Sequence, residues 1–208
     1  MKNIKHAIAM AAIFGVASLA HSQVLNSSFE SGNGSAADNW FQFGNAYREA
    51  AGAQTGTYSM KMFGNFTGGT NVTGAFQDFA ISAGQSATAG IKALNASFDA
   101  MSGDNFAVLK LIYRDASNND LMAQESARIT QFTTQDQAQS LTASLGPAPV
   151  GTDHGSIFLL FIQLDTTPFA GGSTFFDDAT LNVVPEPCTL LLLAAGIGAV
   201  AKARRNRA

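Results

Sequence analysis

The chain holds a single cysteine, Cys188, which stands in the last 24 of its 208 residues. The domain before it can have no internal disulfide. Histidine is almost as scarce: of three, only His154 lies beyond residue 22. A zinc site, which takes several Cys or His ligands, has too few of both. A Ser-His-Asp triad would have to use His154, and no Gly-x-Ser-x-Gly stretch supplies a nucleophile. Charge is thin, with 13% Asp, Glu, Lys and Arg, about half the ~25% usual in soluble domains. Six of the twelve basic residues sit at the ends, as Lys2, Lys5, Lys202, Arg204, Arg205 and Arg207. The middle sets six basic residues against fourteen acidic ones, a net charge of −8. Phosphate neutralisation needs clustered Lys and Arg, so nucleic acid is excluded as a partner. No Gly-rich phosphate loop lies between a strand and a helix.

The two ends read as targeting segments. Lys2 and Lys5 precede an uncharged apolar stretch, Ala7 to Ala20, and small residues permit a cut after Ala20 or after Ser22. Residues 1–22 are therefore expected to be a signal peptide handled by the secretion machinery. At the other end, Val184-Pro185-Glu186-Pro187 is a stiff, helix-breaking segment. Cys188 to Ala201 is apolar and uncharged, and a basic cluster from Lys202 to Arg207 closes the chain. The apolar run of 14 residues is short of the ~20 that span a bilayer core. Snorkelling by Lys202 extends the expected membrane helix to about 188–203. The basic end would lie on the cytoplasmic side.

This order of Pro185, Glu186 and Pro187, apolar helix, then Arg204 and Arg205, resembles the PEP-CTERM sorting signal of Gram-negative bacteria over residues 184–208. The resemblance implies recognition and cleavage by an exosortase near the Pro-Glu-Pro motif. It also implies transient anchoring in the inner membrane and final residence at the cell surface or outside the cell. The family is associated with bacteria that make extracellular polysaccharide. The short apolar run departs from the pattern and bears on permanent anchoring more than on recognition.

Residues 23–183 read as one all-β domain. Tyr58, Met60 and Met62 alternate with polar residues, as do Leu94, Ala96, Phe98 and Ala100. Phe106 to Tyr113 is nearly all apolar and runs into a turn-rich stretch before Leu121, which predicts a hairpin. Ile157 to Leu164 suits a strand buried on both faces. Thr174 to Val184 places Phe175, Asp177, Ala179, Leu181 and Val183 on one side. Gln85–Ile91 and Thr133–Ser140 are candidate short helices. Eight or more short strands predict a β-sandwich or jelly roll. The amphipathic helices of an α/β fold are missing.

Three motifs carry a resemblance that spans this domain. Asn26-Ser-Ser-Phe29-Glu30-Ser-Gly32 is followed by Trp40; Gly56-Thr-Tyr-Ser59 comes next; Phe176-Asp177-Asp178-Ala179 closes the domain. Their order resembles the galactose-binding-like jelly roll of carbohydrate-binding modules that bind cellulose and xylan. The resemblance implies a structural Ca²⁺ carried by Glu30, Asp177 and Asp178, with backbone oxygens near Ser28 or Thr57. Carboxylates meeting there would repel unless protonated or bridged by a cation, and hard oxygen ligands suit Ca²⁺. By alternation Asp177 would point inward with Leu181 and Asp178 outward. The plainer alternative is that the Asp pair caps a turn or faces water.

Sugar binding needs rings that stack on pyranose faces. The candidates are Trp40, Phe43 and Tyr47, with Phe41 and Phe66 beside them. Trp40 also aligns with a Trp that mostly packs in the modules. With 16 Phe and one Trp, core filling competes with ligand contact at each position. The expected function is a non-catalytic exopolysaccharide-binding module on the cell surface. The alternatives are a structural or adhesive protein of the biofilm matrix and, more weakly, a glycoside hydrolase. A hydrolase would need two carboxylates ~5–10 Å apart in a cleft. A surface-exposed aromatic row across a concave sheet would favour binding; a fully buried aromatic set with a bland polar surface would favour the matrix scaffold; a deep cleft with two facing carboxylates would favour the hydrolase.

Overall fold

Met60 and Met62 are fully buried, while Lys61 and Phe63 between and beside them stay partly open. This period of two recurs along the chain and is the mark of a strand covered on one face. The computed structural model describes residues 24–184. The expected signal peptide, the expected membrane helix at about 188–203, and Pro185, Glu186, Pro187, Arg204 and Arg205 lie outside the described residues. Short strands β1 (Gly32–Asn33), β2 (Ala36–Ala37), β3 (Phe41–Phe43), β4 (Asn45–Glu49) and β5 (Ser59–Phe63) lead the chain. Longer ones follow: β6 (Asn71–Ala80), β7 (Ser86–Leu94), β8 (Phe106–Arg114) and β9 (Asp120–Glu125). The last are β10 (Ile129–Thr130), β11 (Gln139–Leu145), β12 (His154–Gln163) and β13 (Ser173–Val184).

β1 and β2 pair with each other. The remaining strands form two antiparallel sheets. One runs β10-β8-β12-β6-β3, with β9 also paired to β8; the other runs β11-β7-β13-β5-β4. β12 thus lies between β6 and β8, and β13 between β5 and β7, so both sheets are closed by strands distant in sequence. The two sheets form the expected sandwich. Its core includes Met60, Met62, Leu109, Leu111, Tyr113, Leu159, Phe161 and Phe176, each with no exposed surface.

The expected hairpin is the pair β8–β9, with Tyr113 opposite Met122. Four local expectations are corrected. Ser86–Leu94 is a strand, because its alternate residues Ala87, Ala89, Ile91 and Ala93 are buried. Thr133–Ser140 holds turns and the first residues of β11. The alternation at Leu94–Ala100 breaks after Leu94, where Ser97–Asp99 makes one 3₁₀ turn. β12 is buried on one face only: Phe158, Leu160 and Ile162 are half-buried on the outside. A fifth correction concerns β13, whose pairing with β7 slips between Asp177 and Thr180. The bulge reverses the facing of the strand. Phe176 and Leu181 face the core, whereas Phe175 and Asp177 face outward under the 50–58 loop.

Candidate functional site

On the outer face of the six-stranded sheet, Phe41 of β3 lies opposite Phe76 of β6, which lies opposite Phe158 of β12. The same register continues to Lys110 of β8 and Glu125 of β9. Phe76 stacks on Phe158 with ring centres 4.8 Å apart and planes 22° from parallel. Phe41 tilts against Phe76 at 5.0 Å, and the Arg114 guanidinium covers the far side of Phe158 at 4.9 Å. Stacked rings stand on edge, so the row presents edges along its middle. Its terminal ring, Phe41, is 62% exposed and offers an open face. Phe43 adds another ring, because β6 has Gly74 where a side chain would block it. A Cβ there would stand 2.5 Å from the tip of Phe43 and 2.8 Å from Leu160. Lys110 has no ion partner among the described residues; Arg114 is paired with Asp120 at 2.9 Å.

The three aromatics expected to act together are separated. Phe43 lies on this face. Tyr47 lies on the outer face of the other sheet, in register with Lys61. Trp40 is 6% exposed, packs on Phe29 at 5.2 Å, and donates its indole N–H to the Asn26 carbonyl at 3.1 Å. Trp40 is therefore a core residue, and its ring is not available to stack on a sugar. Phe76 and Phe158 were not among the candidates, since what brings them together is the pairing of β6 with β12.

The acidic candidates converge on one turn. Glu30 Oε1 accepts the backbone N–H groups of Thr57 and Tyr58, each at 2.9 Å. Asp177 Oδ2 accepts those of Gln54 at 2.6 Å and Thr55 at 2.9 Å, and its Oδ1 accepts the N–H of Asp178 at 2.7 Å. The two carboxylates hold opposite ends of the 54–58 turn. Gly56 between them has φ +62°, and a Cβ there would collide with the Glu30 carboxylate. Asp178 reaches the same turn through the Thr55 hydroxyl at 2.5 Å and also holds the Lys92 ammonium at 2.8 Å. The Tyr58 and Thr57 N–H groups hold Glu30 below the usual carboxylate range. Burial pushes Asp177 up, against the pull of the three N–H donors. Burial also raises Asp178, but Lys92 and Thr55 outweigh it and leave the group lowered.

No three His, Cys, Asp or Glu side chains gather to hold a metal among the described residues. Both hydrogen bonds to Glu30 fall on one oxygen. Glu30 Oε2 accepts no hydrogen bond among the described residues, and carboxylate oxygens are hard donors of the kind Ca²⁺ takes, whereas both oxygens of Asp177 already accept backbone N–H groups. Asp178 is not available to a cation, because Lys92 already neutralises it.

Arg48 was not singled out by the sequence. It is 8% exposed, and its Nε and one terminal N–H group donate to the carbonyls of Phe29 and Glu30, each at 2.6 Å. It fixes the backbone of the Glu30 segment from below.

Neither a family model nor a curated protein matches the chain. Solved structures do. The fold is shared with carbohydrate-binding modules. TmCBM61, solved with β-1,4-galactotriose, is 17% identical with TM-score 0.51 over 77% of this chain and 97% of its own. A xylan-binding domain from Paenibacillus barcinonensis is 14% identical with TM-score 0.53 over 81% and 99%. A Stig cyclase from Fischerella is 14% identical with TM-score 0.55 over 80% and 99%. At such identities the likeness is one of fold, and the sandwich hosts binding modules and an enzyme alike.

Proposed function

We propose that this protein is exported, sorted by an exosortase through Pro185, Glu186 and Pro187, and used at the cell surface as a non-catalytic exopolysaccharide-binding module. The observation that carries the binding reading is the in-register row of Phe41, Phe76 and Phe158 on an open sheet face. The open face of Phe41, with the Phe43 ring beside it and a few polar groups along the row, suits the apolar face and hydroxyls of a sugar chain, while Phe76 and Phe158 hold Phe41 in place. Lys110 and Arg114 stand at the end of the row as hydrogen-bond donors. The modules of like fold that take galactotriose and xylan support the same reading. Each ring contributes on the order of 1 kcal/mol. Two rings and a few hydrogen bonds then give micromolar to millimolar affinity. A protein displayed in many copies multiplies this by avidity. Ca²⁺ held by Glu30 and Asp177 would steady the 50–58 loop and serve stability.

The test is retention on the host exopolysaccharide and on a glycan array. Retention that free oligosaccharide displaces is the expected result. No retention on host polysaccharide, glucan, xylan or galactan would leave the domain as a structural or adhesive scaffold of the matrix.

A further inference from the structure

The opposite sheet carries a second built feature. On its outer face Tyr47, Lys61 and Phe175 lie in one cross-strand row, and Asn45, Phe63 and Ser173 in the next. Phe63 lies 5.8 Å from Tyr47 with planes 33° apart, and 6.3 Å from Phe66 with planes 31° apart. The three rings make a shallow curved strip. Tyr47 and Phe66 are 37% and 40% exposed at its two ends. Beside the strip is a cleft of about 180 Å³ lined by Lys61, Phe63, Phe66, Asp99 and Gly172.

The cleft is held in place. Gln163 is fully buried, and its Oε1 accepts the N–H of Phe66 at 2.9 Å while its Nε2 donates to the Ala170 carbonyl at 3.0 Å. It therefore fastens the loop that carries Phe66 to the loop that carries Gly172. Asp99 accepts from the Ser173 hydroxyl at 2.8 Å and pairs with Lys61 at 3.0 Å. Glu49 approaches the same ammonium at 3.6 Å. An ion pair anchored in this way offers a cationic donor and carboxylate acceptors beside a strip of ring faces. Both kinds of group are what one pyranose presents a use for: an apolar face and vicinal hydroxyls. Two acids against one lysine leave the cleft without spare positive charge, so the sugar it suits is neutral.

We propose that this cleft is a second saccharide site, taking one neutral pyranose residue, and that the domain thereby bridges two glycan chains. The two sites lie on outward faces of sheets packed ~10 Å apart, and they look in opposite directions. One extended chain does not reach both. The cleft also stands at the Ser173 end of β13, away from Val184, where the tail leaves. A sheet strand of this length puts on the order of 35 Å between the two.

The experiment is titration calorimetry of the full chain, in a non-glycosidic detergent, with β-1,4-galactotriose and xylohexaose as probes. The expected stoichiometry is two, falling to one in Phe66→Ala with the melting temperature unchanged; Tyr47→Ala should weaken the same site about fivefold. Light scattering with a long neutral polysaccharide should rise with the native protein and not with Phe66→Ala. A stoichiometry of one that Phe41→Ala abolishes and Phe66→Ala leaves intact overturns the second site and keeps the first. One site lost in Phe66→Ala and untouched by Phe41→Ala does the reverse. Absence of binding by either probe overturns this inference.

Discussion

The guanidinium carbon of Arg48 lies 3.3 Å from the centre of the Tyr58 ring. The same side chain holds the Phe29 and Glu30 carbonyls, while Glu30 holds the N–H of Tyr58. One residue thus ties the first segment of the domain to the 54–58 turn. Replacing it with methionine keeps the bulk and leaves the buried Phe29 carbonyl and the partly buried Glu30 carbonyl without this donor, at ~1–3 kcal/mol for the buried one. Arg48→Met should lower stability by ~1–3 kcal/mol in urea unfolding. Arg48→Lys should not restore it, since a single ammonium cannot reproduce the planar fork and its stacking.

The aromatic row separates binding from stability. Phe41 is 62% exposed, so Phe41→Ala should leave the melting temperature unchanged. Losing its ring should weaken retention on polysaccharide about fivefold, the equivalent of ~1 kcal/mol. Phe158 is half-buried between Phe76 and Arg114. Phe158→Ala should therefore weaken retention and lower the melting temperature together. Loss of stability with unchanged retention in both variants would assign the row to packing alone.

An ion shared by Glu30 and Asp177 would stabilise the folded state by mass action, by about 2.7 kcal/mol at a hundredfold excess over Kd. Chelation by EDTA should then lower the melting temperature of the protein, and Glu30→Gln should remove that sensitivity. Asp178→Asn should retain it, because Asp178 is bound to Lys92 and Thr55. A melting curve indifferent to chelator would leave Glu30 and Asp177 as clasps of the turn.

Processing at the tail is read by mass spectrometry. The secreted form should end near residues 184–187. Recovery of secreted protein that still carries Arg207 would exclude exosortase sorting.

Acid should loosen the β8–β9 hairpin. The Asn119 side chain and N–H, with that of Ser117, hold Asp115 below the usual carboxylate range. A lowered folded value contributes stability above the unfolded value of ~3.9, and that stability is lost as pH falls through the folded value. Hydrogen exchange of the hairpin amides should rise in that window. Asp115→Asn keeps an acceptor for the turn and carries no charge, so its exchange should be flatter with pH.

Local features of the sequence were sufficient where partners are near in the chain. The β8–β9 hairpin follows from an apolar run, a turn-rich stretch and a return, all within twenty residues. The order of three motifs pointed to Glu30, Asp177 and Asp178 together, and the structure brings all three to the 54–58 turn. What they grip was not legible, because backbone N–H groups carry no sequence signature. Trp40 resembled a binding residue by type, yet its burial against Phe29 depends on how the 24–40 segment folds over the sandwich edge.

By itself the sequence determined the class of structure and one exclusion. Period-two alternation demands sheets covered on one face, and a single cysteine cannot form an internal disulfide. The tertiary structure alone decided which rings share a surface. Phe76 and Phe158 are 82 positions apart, and only the register of β6 against β12 sets them face to face. It also decided where Asp177 points. A bulge in one strand inverts every side chain on one side of it, and it forms where the strand meets the 50–58 loop. Alternation is a local property, but facing depends on register, and register is settled by partners far away in the chain.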